Sequence, residues 1–495
     1  MTDEERPSPA EDVLVARRVK LDRLRARGIE PFALRFDRDA VAAELHGRYE
    51  GLAPEAASGA VVRVAGRLVG LRRFGALTFG VLRDSTGDIQ LFLEEGTLDG
   101  GGAALIEDLD LGDWVGAEGE VVRTKRGELS VKATRLTMLT KSLRPLPEKW
   151  HGIKDPELRY RRRYLELATD PESRRLIRAR AQALAALRAE LAGRGFVEVE
   201  TPMLHATAGG AIARPFVTHH RALGVDFNLR IAIELYLKRL LVAGVERVYE
   251  IGRNFRNEGI DRDHNPEFSM LEAYQAYGDY ETMMELGHAL VVAAARAVRG
   301  SLRFDYQGRE MDLEGDWPRV TVLGSVSEAI GEQISLDRQD LDQVARRQGI
   351  DVHPTWGPGR IVLELFEKLV EGQIWNPTFV CDFPREVSPL ARPHRTELGL
   401  VEHFDLVMAG MEIIPAYSEL SDPDEQRRSF EIQQEARRQG EEETHPLDED
   451  FLVALEHGMP PAGGLGLGID RLLMILADVP SIRDVILFPA LRPEA

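Results

Sequence analysis

Between Arg247 and Tyr280 the chain reads RVYEIGRNFRNEGIDRDHNPEFSMLEAYQAYGDY, and its side chains suit a nucleoside triphosphate. Arg256 can clamp a phosphate, Glu258 is a hydrogen-bonding carboxylate, His264 follows in the loop, and Phe268 offers a ring on which a base can stack. These groups need a rigid support. The pattern predicts two strands, Arg247–Glu258 and Phe268–Tyr274, joined by a loop too charged to be buried. Side chains alternate faces along a strand. Glu250, Asn254, Arg256 and Glu258 are therefore expected on one face, and Phe268, Met270, Glu272 and Tyr274 on one face of the partner. A purely structural sheet would carry Val, Ile and Leu there; the plainer alternative is a solvated edge hairpin with scattered charge.

A second segment, GGLGLGIDRLLMIL from Gly463 to Leu476, fits the same chemistry. Gly464, Gly466 and Gly468 alternate, so one strand face has no side chains and another group can approach closely. Asp470 reads as a helix N-cap, with Arg471 in the first turn. A cation there opposes the helix dipole unless it reaches toward an anion. There is no GxxxxGK[ST] and no GxGxxG opening a helix after a strand.

In this order the motifs resemble the second and third signatures of the class II aminoacyl-tRNA synthetases. The first would be a long helix and a strand ending in proline. Ser173–Ala192 has Leu184, Leu187 and Leu191 at helical spacing, with Gly193 and Gly195 to end it, and FVEVETP (Phe196–Pro202) follows as an alternating strand. The family uses this element as a dimer interface, which implies a homodimer. The segments Leu143–Leu167, Gly209–His220, Leu229–Leu241, Val387–Ala391 and Asp448–Arg471 narrow the resemblance to lysyl-tRNA synthetases of the bacterial type, over nearly the whole chain from Leu14.

The resemblance implies an α+β fold: an antiparallel class II sheet flanked by helices, preceded by an OB-fold β-barrel. It also implies the reaction, in which lysine and ATP form lysyl-adenylate and the lysyl group passes to the 3′ end of tRNA-Lys. By the same carry-over Arg256 contacts the α-phosphate and the substrate carboxylate, and Arg471 the γ-phosphate. Phe268 stacks on adenine and Glu258 accepts from its amino group, while His264 and Asn265 approach the phosphates or ribose and Gly468 belongs to the ATP site. Asp405 and Glu412 are the implied Mg2+ ligands, hard oxygens as that ion requires. Glu234 takes the α-amino group, Glu419 with Tyr274 takes the side-chain ammonium, and Tyr417 packs along the aliphatic stem. Gly210 and Arg214 lie in a loop closing over the site.

Three positions depart from the family pattern. The usual segment reads Glu-Ile-small-Asn-small-aromatic-(Ser/Thr)-Glu-Leu, whereas this chain has EIIPAYSEL, with Ile414 and Pro415 in place of the small residue and the asparagine. That asparagine helps hold the substrate carboxylate, and proline offers neither an amide side chain nor an N–H. Ile233 replaces a usual proline and enlarges an apolar contact beside the α-amino pocket. Asp405 shortens a metal ligand that is usually glutamate. Two alternatives therefore stand beside the leading reading: an adenylating paralogue with an altered substrate or inhibitor tolerance, and a non-catalytic RNA-binding paralogue.

Composition sets the frame. The 495 residues carry a net charge of −19, which argues against a nonspecific nucleic-acid binder but not against a tRNA enzyme with local basic patches. Two such patches are Leu14–Gly28, read as a basic helix with a phosphate contact or a merely solvated face as its alternatives, and Glu157–Leu167, read as a domain hinge. The single cysteine, Cys381, excludes an intramolecular disulfide and reads as buried and inert. No membrane span is expected, and the acidic start suggests a cytoplasmic protein. Residues 1–13 read as a disordered tail, 14–59 as a helical segment, 60–142 as an OB-fold anticodon-binding domain, 143–151 as a linker and 152–495 as the catalytic domain. In the OB domain Phe79 is the stacking candidate, with Arg72 and Gln90 for base-edge or phosphate contacts.

Overall fold

The computed structural model describes residues 9–147, 153, 155–438 and 445–493, which form two compact units split between residues 153 and 154. The segment read as a linker ends just before this boundary, and its residues 148–151 lie outside the described ones.

In the first unit, strands β1 (Ala57–Phe74), β2 (Leu77–Arg83), β3 (Asp88–Glu94), β4 (Trp114–Arg123) and β5 (Leu129–Thr140) close into a barrel of order β1-β2-β3-β5-β4. Strict inside–outside alternation in β2 and β3 puts Leu82, Ile89, Leu91 and Leu93 in the core with Leu68, Val115 and Val131. Close strand crossings need bare backbone. A Cβ on Gly119 would lie 2.0 Å from the Lys132 carbonyl oxygen, beside the bulge that bends β4 around the barrel.

The basic helix spans Pro9–Ala26, so it begins inside the segment read as a disordered tail; residues 1–8 lie outside the described ones. Its cations are largely committed to the barrel. Buried Arg17 donates to the carbonyls of Leu111 and Ser142 (3.0 Å each), Lys20 pairs with Asp110 at 2.6 Å, and Arg23 and Arg27 both reach Asp108. That face holds the helix down and is not free for phosphates, which corrects half of the patch reading.

The second unit is built on β6 (Val197–Glu198), β7 (Leu204–His205), β8 (Val217–His220), β9 (Val225–Leu229), β10 (Arg247–Phe255), β11 (Glu267–Ala276), β12 (Arg303–Tyr306), β13 (Arg309–Asp312), β14 (Arg319–Thr321), β15 (Thr378–Cys381), β16 (His403–Met408), β17 (Met411–Ser418) and β18 (Ala462–Gly468). Eight of them form one sheet, β14-β15-β16-β17-β18-β11-β10-β6, antiparallel except at its two ends. Helices Pro171–Gly193, Tyr280–Arg299 and Ile469–Ala477 share a core with it through Leu187, Leu191, Leu286, Leu290, Leu472 and Ile475. An Asp279/Thr282 capping box starts the Tyr280 helix. The helix after residue 170 starts earlier than predicted because Asp170 caps it, accepting from the amides of Glu172 and Ser173 (3.1 Å each).

Two expectations change here. Of Phe196–Pro202 only Val197–Glu198 pairs with the sheet, because Thr201 turns its N–H to the Glu250 carboxylate (2.9 Å) and Pro202 has none to give. The second basic patch lies within this unit. Arg159 and Arg163 grip Glu166 (2.8 and 2.7 Å), Arg159 also reaches Asp484 at 3.1 Å, and Arg163 is buried. It is a structural ion network and not a hinge. Cys381 is buried, and burial pushes its thiol up to about 12, which leaves it unreactive.

Candidate active site

The site is a cavity of about 440 Å³ over β11, β16, β17 and β18, with the loop after β10 at its edge. Strands β10 and β11 pair in the register that aligns the two predicted faces, with Glu250 opposite Glu272 and Asn254 opposite Phe268. The first strand ends at Phe255, so Arg256 and Glu258 sit just past it in the loop. Not every polar group on that face meets the cavity. Glu250 grips buried Arg230 (2.5 Å), and Asn254 donates to the Met270 sulfur at 3.6 Å. Gly252 is there for the same reason, since a Cβ would lie 2.0 Å from an Arg230 nitrogen.

At one end the cations converge. The Arg256 guanidinium lies 5.1 Å from the Phe268 ring centroid, and its Nε donates to the Ile231 carbonyl at 3.4 Å. Arg471 donates to the Glu412 carbonyl (2.9 Å) and lies 3.1 Å from His264 Nε2. His264 is fixed in turn by Asp261, 2.9 Å from its Nδ1. Glu258 and Asn265 also line the cavity, but the Asn265 side-chain amide is spent on the Glu267 carbonyl at 2.6 Å. Asp470 is not the helix cap. Gly468 holds that position, while buried Asp470 takes the Ser269 N–H (2.6 Å) and Arg180 (2.5 Å), locking the helix that presents Arg471 to β11.

Asp405 and Glu412 come together through a bulge. Strand β16 pairs Asp405 with Pro415 and Val407 with Glu412, and the register slips between them. The slip turns Glu412, Pro415 and Tyr417 to one side despite their uneven spacing. Burial, then Glu412 and Asp405, push the nearby Glu371 up to about 7.

The other end is acidic and more deeply buried. Glu234 and Glu419 do not face the cavity as a free pair, because Lys238, with no exposed surface, bridges them at 2.5 Å to each. Glu419 lies behind the cavity wall. The Tyr274 hydroxyl donates to Glu272 Oε2 at 3.1 Å. Burial, then Glu234, pushes Glu272 up to about 7. Burial outweighs Lys238 and pushes Glu419 up to about 8. On Lys238 the two carboxylates outweigh burial and hold the ammonium charged. The glycine strand makes this possible: a Cβ on Gly464 would lie 2.1 Å from Glu419 Oε1 and 2.4 Å from the Tyr274 ring.

Gly210 closes the amino-acid end at a φ of +90°, where an L side chain is strained and where a Cβ would press on Ala232 at 3.0 Å. Its N–H donates to His445 Nε2 at 2.7 Å. Ile233 differs from the expectation. Its side chain is buried in the cluster around Leu237, Phe430 and Phe451, away from the cavity, and its N–H donates to Glu272 Oε1 at 3.0 Å. A proline could not supply that bond. Ile414 is also a core residue, seated against the helix at Gly287, where a Cβ would come within 3.2 Å of it. Sequence reading put Glu272 on the polar face of the hairpin without a role there, and it missed Lys238. The spacing of Glu234 and Lys238, i and i+4 at a helix start, was the available signal.

In the barrel unit Arg72, Phe79 and Phe92 stand in one cross-strand row, with Phe92 paired to Lys132. Phe79 is half-buried, edge-on to Phe92 (5.3 Å) and Phe74 (6.2 Å), and Phe74 is 61% exposed. Lys132 lies 5.5 Å from the Phe92 ring. Gln90 donates to the Ser130 hydroxyl at 2.9 Å, which fixes its amide. Phe74, Phe92 and Lys132 extend the surface beyond the residues anticipated.

Residues 155–492 match the family described as tRNA synthetases class II (D, K and N), and residues 62–139 match the OB-fold nucleic acid binding domain. The fold and the site thus define a class II tRNA synthetase carrying an OB-fold domain. Within the class, the lysine–tRNA ligase of Moorella thermoacetica is 48% identical over 487 residues, 98% of either chain. That of Synechococcus sp. (strain CC9311) is 51% identical over 478 residues, 96% of this chain and 98% of the other, and that of Bordetella bronchiseptica is 47% identical over the whole of both chains. The chain belongs to the lysine–tRNA ligases.

Proposed function

We propose that the cavity activates L-lysine with ATP and Mg2+ to lysyl-adenylate, which then acylates the 3′ end of tRNA-Lys, and that the residues above divide this work. The observation that carries the reading is charge matching. Three buried carboxylates, Glu234, Glu272 and Glu419, face one internal cation, Lys238, which leaves two negative charges for two substrate ammoniums. Arg256, at the other end, answers the substrate carboxylate. A neutral rival would leave a buried carboxylate unpaired, which is why such a pocket discriminates strongly.

With Arg256 between them, the lysine carboxylate and the α-phosphate are held together against their mutual repulsion. A carboxylate oxygen attacks the α-phosphorus, the bond to the β-phosphate bridging oxygen breaks, and pyrophosphate leaves. Arg471, held toward the site by the Glu412 carbonyl, receives charge at the γ-phosphate. Phe268 stacks on the purine and Glu258 accepts from its amino group. The protein's share is positioning and charge stabilisation. Asp405 and Glu412 are hard-oxygen donors that crowd one another and suit a divalent cation. The described residues contain no cluster of three or more such donors, so a metal here would complete its shell with phosphate and water oxygens. Bound Mg2+ would neutralise phosphate charge.

On the barrel, the row Arg72, Phe79 and Phe92 with Gln90 is the anticodon surface. A cytoplasmic homodimer is the working form we favour. Among the described residues Val197, Met203, Leu204, Val217, Leu223 and Val225 expose apolar surface around β6 and the small β7-β9-β8 sheet. No helix among the described residues is long and apolar enough to cross a membrane. Amino-acid-dependent ATP–pyrophosphate exchange tests the activity across lysine, its β- and hydroxylated analogues, ornithine and arginine, followed by acylation of tRNA-Lys. Exchange with lysine is the expected result; exchange with none, or with an analogue in preference to lysine, would overturn it.

A further inference from the structure

We infer that His403 is a positioning residue, which holds the Asp405 carboxylate for the metal–triphosphate end of the site and braces the wall of the lysine end with the same ring. Ser388, His403 and Asp405 form a hydrogen-bonded line: Ser388 Oγ lies 2.9 Å from His403 Nδ1, and His403 Nε2 lies 2.9 Å from Asp405 Oδ1. Its direction follows from chemistry. A carboxylate only accepts, so Nε2 carries the proton and donates to Asp405, and Nδ1 is left to accept from the Ser388 hydroxyl. Ser388 and His403 are both buried, and the bond between them is shielded from water, while the Asp405 bond lies at the cavity wall.

The ring is fixed on its faces as well as its nitrogens. His403 stacks on Phe383 (4.0 Å, 27° between planes) and meets Tyr417 edge-on (4.8 Å, 65°). Cross-strand pairing explains both roles, because β16 sets His403 opposite Tyr417 and Asp405 opposite Pro415. One imidazole therefore sets the orientation of a metal-side carboxylate and of the aromatic wall for the lysine stem. The bond on Oδ1 fixes the plane of the Asp405 carboxylate and leaves Oδ2 as its less encumbered oxygen for a cation. An aspartate is one methylene shorter than the glutamate usual at this position, so its reach cannot be regained by side-chain flexing, and a fixed orientation matters more.

The inference rests on Asp405 acting at the metal end, and its test separates the two. Binding of Mn2+ to the full-length protein with a non-hydrolysable ATP analogue is followed by the electron paramagnetic resonance of free Mn2+, alongside the metal half-saturation of pyrophosphate exchange. His403→Phe keeps the packing and loses the donor, and should weaken Mn2+ binding about tenfold, in line with the loss of an outer partner of a metal ligand. His403→Gln, which keeps an N–H toward Asp405, should stay within about threefold of the parent, and Ser388→Ala should fall between the two. The KM for lysine should change less than the metal half-saturation in all three. A loss in His403→Gln with none in His403→Phe would mean a packing role and overturn the inference; so would equal losses in the two, since the retained N–H would then count for nothing, and so would unaltered Mn2+ binding in His403→Phe while Asp405→Asn weakens it. If Asp405→Asn also leaves Mn2+ binding unaltered, the metal reading of Asp405 falls and takes the inference with it. Should His403→Phe fail to fold, an unaltered Ser388→Ala overturns the inference on its own.

Discussion

Replacing Pro415 by asparagine should lower the KM for lysine. Pro415 lines the cavity in β17, cross-strand from Asp405 and on the side of Tyr417. There is room for a longer side chain, because the neighbouring strand position is Gly466, where even an added Cβ would remain 3.8 Å from the proline ring. The paired register of β17 with β18 covers only Ala416–Ser418 and stops where the proline, lacking an N–H, begins. A side-chain amide at this position brings donors to the place where the substrate carboxylate meets Arg256. A hydrogen bond to a charged group contributes about 1.5–3 kcal/mol. At about 1.4 kcal/mol per decade, the KM should fall by about tenfold to about a hundredfold. Pro415→Ala separates the contributions, since it restores the backbone N–H without the amide, and should recover little of the gain. Initial rates of pyrophosphate exchange at saturating ATP and varied lysine give both values, with the KM for ATP as the internal control. If Pro415→Asn stays within twofold of the parent, or if Pro415→Ala matches it, the missing amide is not what distinguishes this pocket.

Three further outcomes follow from the geometry. Gly464→Ala should raise the KM for lysine by more than about a hundredfold, because its Cβ would collide with Glu419 and Tyr274; the KM for ATP should stay near the parental value, and a similar rise in both would point to general misfolding. Phe79→Ala or Phe92→Ala should leave exchange with lysine intact while weakening tRNA-Lys, by about 1–3 kcal/mol for a lost stacking partner, read as the KM in aminoacylation. Lysine binding should release protons near neutral pH. Glu272 (about 7) and Glu419 (about 8) hold protons in the free pocket that two arriving ammoniums would displace. Affinity should therefore rise from pH 6 to about 8, and calorimetry at pH 6.5 in buffers of different ionisation enthalpy should give different apparent heats. Identical heats in both buffers would contradict the charge account, and Glu419→Gln should reduce the difference.

The legible part of the site was what strand alternation controls. Phe268, Met270, Glu272 and Tyr274 could be placed on one face from spacing alone, and so could the bare face of Gly464, Gly466 and Gly468, since a period of two needs no tertiary knowledge. What stayed hidden depends on register and on long-range partners. Asp405 and Glu412 were named by the resemblance alone, and their spacing gives no sign of a pair, because the bulge that brings them to one side lies between two paired strands and leaves no local mark. Asp470 has the composition and position of an N-cap, yet Arg180 and the Ser269 amide claim its carboxylate from distant parts of the chain.

Proline substitution is the sharpest case of this division. Both Ile233 and Pro415 could be recognised in sequence as departures from the family pattern, but only the folded chain reveals what each does. At Ile233 a backbone N–H stands where the pattern has proline, and it is used to hold Glu272 within the carboxylate cluster. At Pro415 an N–H is missing where the pattern has asparagine, and the strand ladder stops there. One change tightens the anionic end of the lysine pocket; the other removes a donor from the carboxylate end. Their effects on lysine binding oppose one another, so a pocket that departs at both positions can still bind the same amino acid. Reverting them separately should then move the KM in opposite directions. Pro415→Asn lowers it, while Ile233→Pro frees one oxygen of Glu272 and raises it by about fivefold or more, the loss of a hydrogen bond to a charged acceptor. If Ile233→Pro leaves the KM for lysine unchanged, the Glu272 bond is incidental and the two departures are not coupled through the substrate.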